Sequence, residues 1–325
     1  MNKRYLHKSH VNRTNKLFMA FSKGADSTAT ATFKRYIGYA PVKVIAINPT
    51  KKELEKIYNT TLDTEPVYLK EVEAGQDKHK VKQIRIDFIV KTDTDKCFDK
   101  EGKPIDAITR VTFFINNEYM FNADKTKLQV IDEYGRTAWV TQEEFKTKAI
   151  PVYSNGPANI SKNYKAVLRG EEQLVEFCRA YLCIPRINWW DATEGKMKVN
   201  EHPENCECSF DNLDVLFKGD VSPVKDVIAL QPDNSVYVLW GIRTTPDNRQ
   251  YQTVFTECFL SGKTTRFTAF SNRLNERKAA GAYPNTEFEV CPLKEYIVKP
   301  TAIPEKEDDD DLPFGDPTPK SPWDN

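Results

Sequence analysis

The chain has 325 residues, of which 39% are hydrophobic and 29% charged, and its formal net charge is zero. This composition predicts a soluble globular protein with a packed core and a heavily charged surface. No window approaches the roughly 18 continuous apolar residues of a membrane span, and residues 1–16 lack the apolar middle of a signal peptide. Seven cysteines, an odd number, favour reduced thiols over a disulfide framework. We therefore expect a cytoplasmic protein that does not associate with membranes.

The two ends of the chain carry opposite charge. Residues 1–43 hold nine Lys or Arg and one acid, a net charge of +8, whereas residues 305–325 hold eight acids and two lysines, a net charge of −6. A basic end and an acidic end on one chain are typical of a protein that binds a polyanion and screens its own binding site. The simpler alternative is that both ends are merely solvated.

The first predicted elements follow a polar, basic stretch of 32 residues, which we expect to be a flexible arm. Residues 36–48 are β-branched and aromatic and predict a strand, with Pro41 at an edge or a bulge. The stretch NPTKKELEKIYN should then form a helix, because its apolar residues repeat at helical spacing.

Alternating patterns dominate the next part of the chain. Residues 81–91 alternate between apolar and polar side chains, which indicates a strand with one face in solvent. Segments 108–122 and 127–140 continue the pattern, the second with a tight turn at Asp132–Gly135. Thr141 then caps a short helix.

The second half predicts more helix. The clearest helix runs from Glu171 to Leu182, and residues 188–229 are expected to be irregular. Residues 235–244 and 250–260 predict a hairpin around the turn sequence TPDN. A helix ended by Gly281 and a last strand over 288–298 complete the order.

This order of elements predicts a mainly β, or α+β, protein: an antiparallel β-barrel with a few helices rather than a doubly wound parallel sheet. We expect one core over residues 33–299, in which residues 150–230 are either an insertion or a subdomain. The arm (1–32) and a disordered, acidic, Pro-rich tail (300–325) flank it.

Interleaved basic and aromatic residues predict a surface for single-stranded nucleic acid. Cations follow the phosphates, and exposed rings stack on bases of any identity at about 1–3 kcal/mol each. Because a half-buried strand hides one face, about half of these rings should pack in the core instead. The candidate nucleic-acid-binding residues are Lys34, Arg35, Tyr36, Tyr39, Lys43, Lys82, Arg85, Arg110, Phe114, Trp240, Arg243, Arg249 and Tyr251.

Catalytic and metal-binding patterns are scarce in this sequence. The candidates are two acid pairs and a Cys-x-Cys segment: Asp93 with Asp95, Asp211 with Asp214, and Cys206 with Cys208 near His202. The acids fit wet turns better than a divalent metal site, and the cysteine spacing is tighter than that of usual zinc ligands. We therefore predict no catalytic residue, no bound metal and no cofactor.

The acidic tail contains the sequence DDDDLPF at residues 308–314. This segment resembles the tip of bacterial single-stranded DNA-binding proteins, Asp-Asp-Asp-Ile-Pro-Phe, which docks on replication and repair partners. In that family the phenylalanine is the last residue, whereas here leucine replaces isoleucine and eleven residues follow Phe314. The resemblance implies that a partner protein binds the tail. The residues concerned are Asp308, Asp309, Asp310, Asp311, Leu312, Pro313 and Phe314.

A second resemblance covers the whole layout. The basic arm, mixed β core and acidic tail are similar to those of phage-encoded single-stranded DNA-binding proteins. The stretch GYAPVKVIAINPTKKELEKIYN also resembles proteins given that role in crAss-like phages of gut bacteria. The resemblance implies an oligonucleotide-binding (OB) barrel and a tail that competes with DNA for the binding groove.

These observations lead to the hypothesis of a non-catalytic protein that coats single-stranded DNA in phage replication, recombination or repair, in the host cytoplasm. Its partners would be single-stranded DNA, replication or repair proteins, and further copies of itself. The arm would hold DNA or a neighbouring copy through Lys3, Arg4, Lys8 and Arg13. Two alternatives stay open, a phage structural or packaged virion protein and a metal-dependent DNA-processing enzyme.

Overall fold

The fold is seen in a computed structural model of the chain. It describes residues 34–75, 78–132, 137–147, 150–151, 160–161, 164–186, 188–191, 194–208, 210, 213–246, 249–264 and 266–296. The predicted arm, the acidic tail and the turn at residues 133–135 lie outside these ranges.

The protein consists mainly of antiparallel strands with a few helices, which confirms the predicted fold class at that level. The strands are β1 (Arg35–Ile47), β2 (Leu69–Ala74), β3 (His79–Thr92), β4 (Ile108–Asn116), β5 (Lys127–Asp132), β6 (Thr137–Thr141), β7 (Ile150–Pro151), β8 (Ile160–Ser161), β9 (Tyr164–Ala166), β10 (Asn188–Asp191), β11 (Lys196–Val199), β12 (Val236–Thr244), β13 (Gln250–Val254), β14 (Leu260–Ser261), β15 (Thr286–Glu287) and β16 (Lys294–Tyr296). The α-helices are α1 (Lys51–Tyr58), α2 (Gln142–Thr147), α3 (Glu171–Tyr181), α4 (Ser222–Ala229) and α5 (Ser271–Ala279).

The main sheet has the order β13-β12-β1-β3-β4. Strand β2 pairs with the same edge of β3 as β1 does, but with the first half of β3, whereas β1 pairs with its second half. All of these pairs are antiparallel. The two end strands, β4 and β13, approach each other. Among the described residues, however, no strand pairing joins them. The sheet is therefore curled but not closed, and the expected closed barrel is not observed.

Pro41 lies inside the central strand β1, so its predicted place at an edge or bulge was wrong. It pairs with Tyr237 of β12 on one side. On the other side its carbonyl accepts a hydrogen bond from Asp93 N at 2.7 Å. The N and O atoms of one strand residue point to the same edge, and β3 ends at Thr92. The N–H that proline lacks therefore falls where the neighbouring strand has stopped.

The inner face of the sheet packs on helix α3. Alternate residues of β3, including Ile84, Ile86 and Phe88, are fully buried, as the alternating pattern predicted. The Phe88 ring lies 4.6 Å from that of Phe177 in α3. Residues from 213 to 228 join the same hydrophobic cluster. Part of the segment 150–230 therefore shares the core of the sheet.

Two further layers cover parts of the outer face. Tyr39 of β1 and Leu239 of β12 pack against Phe255 and Leu274, which belongs to α5. Helix α1, which was predicted from its apolar spacing and is capped by Thr50, covers Ile89 with Leu54 and Tyr58. On the outer side of β3 and β4, the Phe114 ring stays exposed among the described residues.

Two segments differ from their predictions. The region predicted to be irregular, 188–229, contains the β10–β11 hairpin, two 3-10 turns and helix α4. Of the last strand, predicted over 288–298, the described residues up to 296 form only the three-residue β16. Pro292, which precedes β16, forms a single bridge with Tyr39 instead of a ladder. A proline lacks the N–H that a longer ladder would need there.

Candidate nucleic-acid interface

Three predicted residues lie on one side of neighbouring strands. In the β3–β4 register, Arg85 stands opposite Phe114, and Ile89 stands opposite Arg110. Side chains alternate along a strand, and paired residues share a face. Arg85, Arg110 and Phe114 therefore point to the same side, which we call the β3–β4 outer face.

A carboxylate that the sequence analysis did not select lies between the two arginines. Asp87 Oδ2 is 3.2 Å from Arg85 Nε and 3.4 Å from Arg110 Nη1. Its Oδ1 accepts a hydrogen bond of 2.8 Å from the Thr112 hydroxyl. Asp87 is only 2% exposed, whereas 27% and 30% of the Arg85 and Arg110 side chains remain exposed. One buried carboxylate thus holds two guanidinium groups at the surface.

Two residues of the connection between β1 and β2, Asn48 and Tyr68, also contact Arg85 or Asp87. Asn48 Nδ2 donates to the Arg85 carbonyl at 3.0 Å, and Asn48 Oδ1 accepts from Asp87 N at 2.6 Å. The Arg85 guanidinium lies 5.1 Å from the centre of the Tyr68 ring, a cation–π distance. Burial raises the pKa of Tyr68, so its ring stays neutral. Arg85 is therefore held on three sides.

Phe114 is the exposed ring of this face, with 48% of its surface accessible. Its backbone is pressed against the start of α3. A Cβ on Gly170 would lie 2.0 Å from the Phe114 carbonyl oxygen, and Gly170 has φ +91°, so only glycine fits there. The strand that presents Phe114 is thus fixed along its edge away from β3.

A second group of predicted residues surrounds the β12–β13 hairpin. Arg243 stands opposite Tyr251, and Arg35 Nη1 donates to Gln250 Oε1 at 3.2 Å. Arg249 is exposed in the connecting loop. Nearby, Lys34 forms an exposed ion pair with Glu295 of β16 at 3.3 Å. Of this group only Gln250 and Tyr251 belong to β13, the strand that approaches β4, whereas Arg243 lies on β12 and Arg35 on β1.

Two lysines that were predicted to bind nucleic acid, Lys82 and Lys43, lie in neither of these two groups. Lys82 is three positions from Arg85, so it points to the opposite side of β3, where it stands across from Glu71. Lys43 Nζ lies 3.2 Å from Asp93 Oδ1 and 3.9 Å from Asp95 Oδ2. Its charge is therefore largely matched within the protein.

Two predicted stacking rings are core residues, and we withdraw them from the interface. Tyr39 is 1% exposed and donates its hydroxyl to the Cys258 carbonyl at 2.9 Å. Trp240 is 2% exposed and meets the half-buried Tyr36 edge-on, with ring centres 6.3 Å apart. A base cannot reach a ring face that other side chains already cover.

The candidate metal-binding residues form no metal site in the described part of the chain. No three His, Cys, Asp or Glu residues converge there. Asp93 is 2% exposed and is held by Lys43 and by Lys96 at 3.4 Å. Burial alone would raise the pKa of Asp93, but the hydrogen bond and charge of Lys43 and the charge of Lys96 outweigh it and lower the pKa. Asp211 lies outside the described residues.

Comparisons of the chain with protein-family models, with curated proteins and with solved structures find no match. Within the described ranges, no helix is long and apolar enough to cross a membrane. Function is therefore inferred from the residues and their arrangement.

Proposed function

We propose that the protein binds single-stranded DNA without sequence preference, as a non-catalytic coat in phage DNA replication, recombination or repair. The observation that carries this proposal is the β3–β4 outer face, where an exposed phenylalanine lies beside two oriented arginines. Stacking rings combined with cations are the features that hold single strands in sequence-tolerant binding proteins.

The strand order supports an OB-type fold. In that fold the first three strands form a meander, the fourth pairs with the first, and the fifth follows the fourth as a hairpin. Taking β1, β3, β4, β12 and β13 as these five strands reproduces every one of those pairings. The third and fifth strands approach each other, and α3 lies between the third and fourth in sequence.

The position of the candidate face supports the same proposal. OB folds bind oligonucleotides across their second and third strands and the loops after the first and fourth strands. The corresponding elements here are β3, β4, the connection that contains Asn48 and Tyr68, and the loop that contains Arg249. Arg85 and Arg110 would contact phosphates, and Phe114 would stack on a base. Tyr251 of β13 and Arg243, opposite it on β12, would extend the path along the β12–β13 hairpin.

The two ends of the chain complete the proposed mechanism. The basic arm would hold DNA or a neighbouring copy, and the acidic tail would compete with DNA and recruit partner proteins through Leu312, Pro313 and Phe314. Deleting residues 305–325 should tighten binding at low salt and have little effect at high salt, because screening weakens a competing charge. Equal affinity with and without the tail at low salt would contradict this step.

The proposal is tested by fluorescence anisotropy with single- and double-stranded oligonucleotides over a series of salt concentrations. We expect a strong preference for the single strand and an affinity that falls steeply with salt, since each neutralised phosphate of a single strand adds about 0.7 to the slope. A structural virion protein would show no single-strand preference. Magnesium-dependent cleavage of the oligonucleotide would instead indicate an enzyme.

A further inference from the structure

We infer that Asp87 is a positioning residue of the DNA site: its buried carboxylate aims Arg85 and Arg110 at the phosphates on either side of the base that stacks on Phe114. This inference rests on the proposed function and adds a specific contact unit to it. The unit would take a phosphodiester strand whose base is unpaired and able to leave its neighbours.

An anion at this place requires an explanation. A negative charge on a surface that binds a polyanion opposes binding through its long-range field. Asp87 is also 2% exposed, and a buried carboxylate is costly unless it is paired and hydrogen-bonded. Buried ion pairs are often no more stabilising than apolar residues of the same size. The charge of Asp87 therefore does not favour DNA binding, and its burial does not favour the stability of the fold.

Orientation does account for it. Arg110 Nη1 donates a hydrogen bond to Asp87 Oδ2 at 3.4 Å, and Arg85 Nε forms an ion pair with the same oxygen at 3.2 Å without hydrogen-bond geometry. A guanidinium is a planar fork with five N–H donors, so holding one nitrogen restricts the directions in which the others can point. Thr112 holds the carboxylate from its other oxygen, Oδ1, at 2.8 Å. Two long, flexible side chains thereby lose much of the rotamer freedom that DNA binding would otherwise remove.

The two possible roles of Asp87 predict opposite results for Asp87→Asn. This substitution keeps the size of the side chain but makes the face more positive by one charge. If Asp87 only screens the site, the variant binds a single-stranded oligonucleotide more tightly. If Asp87 positions the arginines, the variant binds about tenfold more weakly, the effect of one lost charge-assisted hydrogen bond. The salt slope should also fall, because fewer phosphates are contacted.

Glu71→Gln is the matched control. Glu71 is an exposed acid on β2 opposite Lys82, and its substitution adds the same single charge without touching the arginines. It should leave affinity unchanged or raise it by up to about threefold. Binding by Asp87→Asn as tight as that of wild type or of Glu71→Gln would overturn the inference and leave the proposed function intact. Failure of the wild-type protein to bind would overturn both.

Two further variants keep the test decisive if Asp87→Asn does not fold. Thr112→Val changes no charge and frees the carboxylate on one side, so positioning predicts weaker binding and simple screening predicts no change. In the double variant Arg85→Lys with Arg110→Lys, charge is kept but the forks are lost. Adding Asp87→Asn to that background should cause no further loss, because Asp87 acts through the arginines. An additive loss, or unchanged binding by Thr112→Val, would contradict the inference.

Discussion

The side-chain amide of Gln252 takes the place of a strand beside Tyr36. Its Oε1 accepts from Tyr36 N and its Nε2 donates to the Tyr36 carbonyl, both at 2.8 Å, while Nε2 also lies 3.0 Å from the Gly241 carbonyl. These bonds join β13 to β1 where the pairing between β1 and β12 has ended at Gly38 and Trp240. The Gln252 side chain therefore links β13 to β1 at the end of the sheet where β1 no longer pairs with β12.

Gln252→Ala should lower the free energy of unfolding by about 2 kcal/mol, because it leaves a half-buried N–H and carbonyl of β1 without partners. Urea unfolding followed by circular dichroism would measure the change. Gln250→Ala, two residues earlier, removes only the 3.2 Å bond from Arg35 and should lower stability by less than about 0.5 kcal/mol. An equal loss of unfolding free energy in the two variants would show that the Gln252 hydrogen bonds stabilise the fold no more than the Gln250 bond does.

Phe114→Ala should weaken binding to a single-stranded oligonucleotide by about 1–3 kcal/mol, roughly 5-fold to 150-fold, through the loss of one stacked base. Anisotropy titrations at fixed salt would measure it. Phe98→Ala is the matched control, because Phe98 is also 48% exposed but lies in the loop after β3. If both variants bind alike, Phe114 has no specific role.

Tyr39→Phe should lower stability by about 1 kcal/mol and leave DNA affinity unchanged. The hydroxyl that it removes donates to the Cys258 carbonyl in a buried layer, and the ring itself is 1% exposed. Thermal unfolding and the same anisotropy assay would measure the two effects. A weaker affinity with unchanged stability would mean that Tyr39 contacts DNA after all.

Arg243→Gln should reduce the slope of log affinity against log salt by about 0.7, the value for one phosphate contact on a single strand. Arg273→Gln serves as its control, because Arg273 of α5 lies 3.8 Å from Glu176 and 3.7 Å from Glu257 in the covering layer. The control should keep the wild-type slope. An unchanged slope for Arg243→Gln would limit the DNA site to the β3–β4 outer face.

Stability should depend on pH through Glu172, a residue of α3. Burial, followed by the charge of Glu176, raises the pKa of Glu172 above that of an ordinary glutamate. An unfolded glutamate has a pKa of about 4.3, so the stability that this group contributes is fully present below that pH. It is lost as the pH rises through the higher pKa of the folded state.

Glu172→Gln should therefore flatten the fall in the free energy of unfolding above about pH 4.3. Its side chain can still accept the hydrogen bond that Gln129 donates to Glu172. Urea unfolding at a series of pH values would measure the profile. Glu176→Gln should flatten it only in part, because it removes the second cause and leaves the burial. Identical profiles for wild type and Glu172→Gln would contradict the assignment.

Asp87 and Tyr39 are two residues whose burial the sequence pattern does not predict. The alternating pattern of β3 placed Asp87 on the solvent side, and it does lie on the outer face. It is nevertheless buried, because Arg85, Arg110 and Thr112 close around it. Tyr39 also lies on an outer face, but Phe255 and Leu274 form a second layer over it. Alternation gives the side of a sheet on which a residue lies, not whether another layer covers that side.

The local elements and the charge asymmetry can be derived from the amino-acid sequence. The capping box of Thr50 with Glu53, helix α3, the alternation in β3 and the β12–β13 hairpin all follow from residues a few positions apart. Tertiary structure alone decided which faces are covered and which residues meet. Arg85 and Phe114 are far apart in sequence and become neighbours only through the register of β3 with β4. Register and layering depend on contacts distant in the chain, and no local pattern contains them.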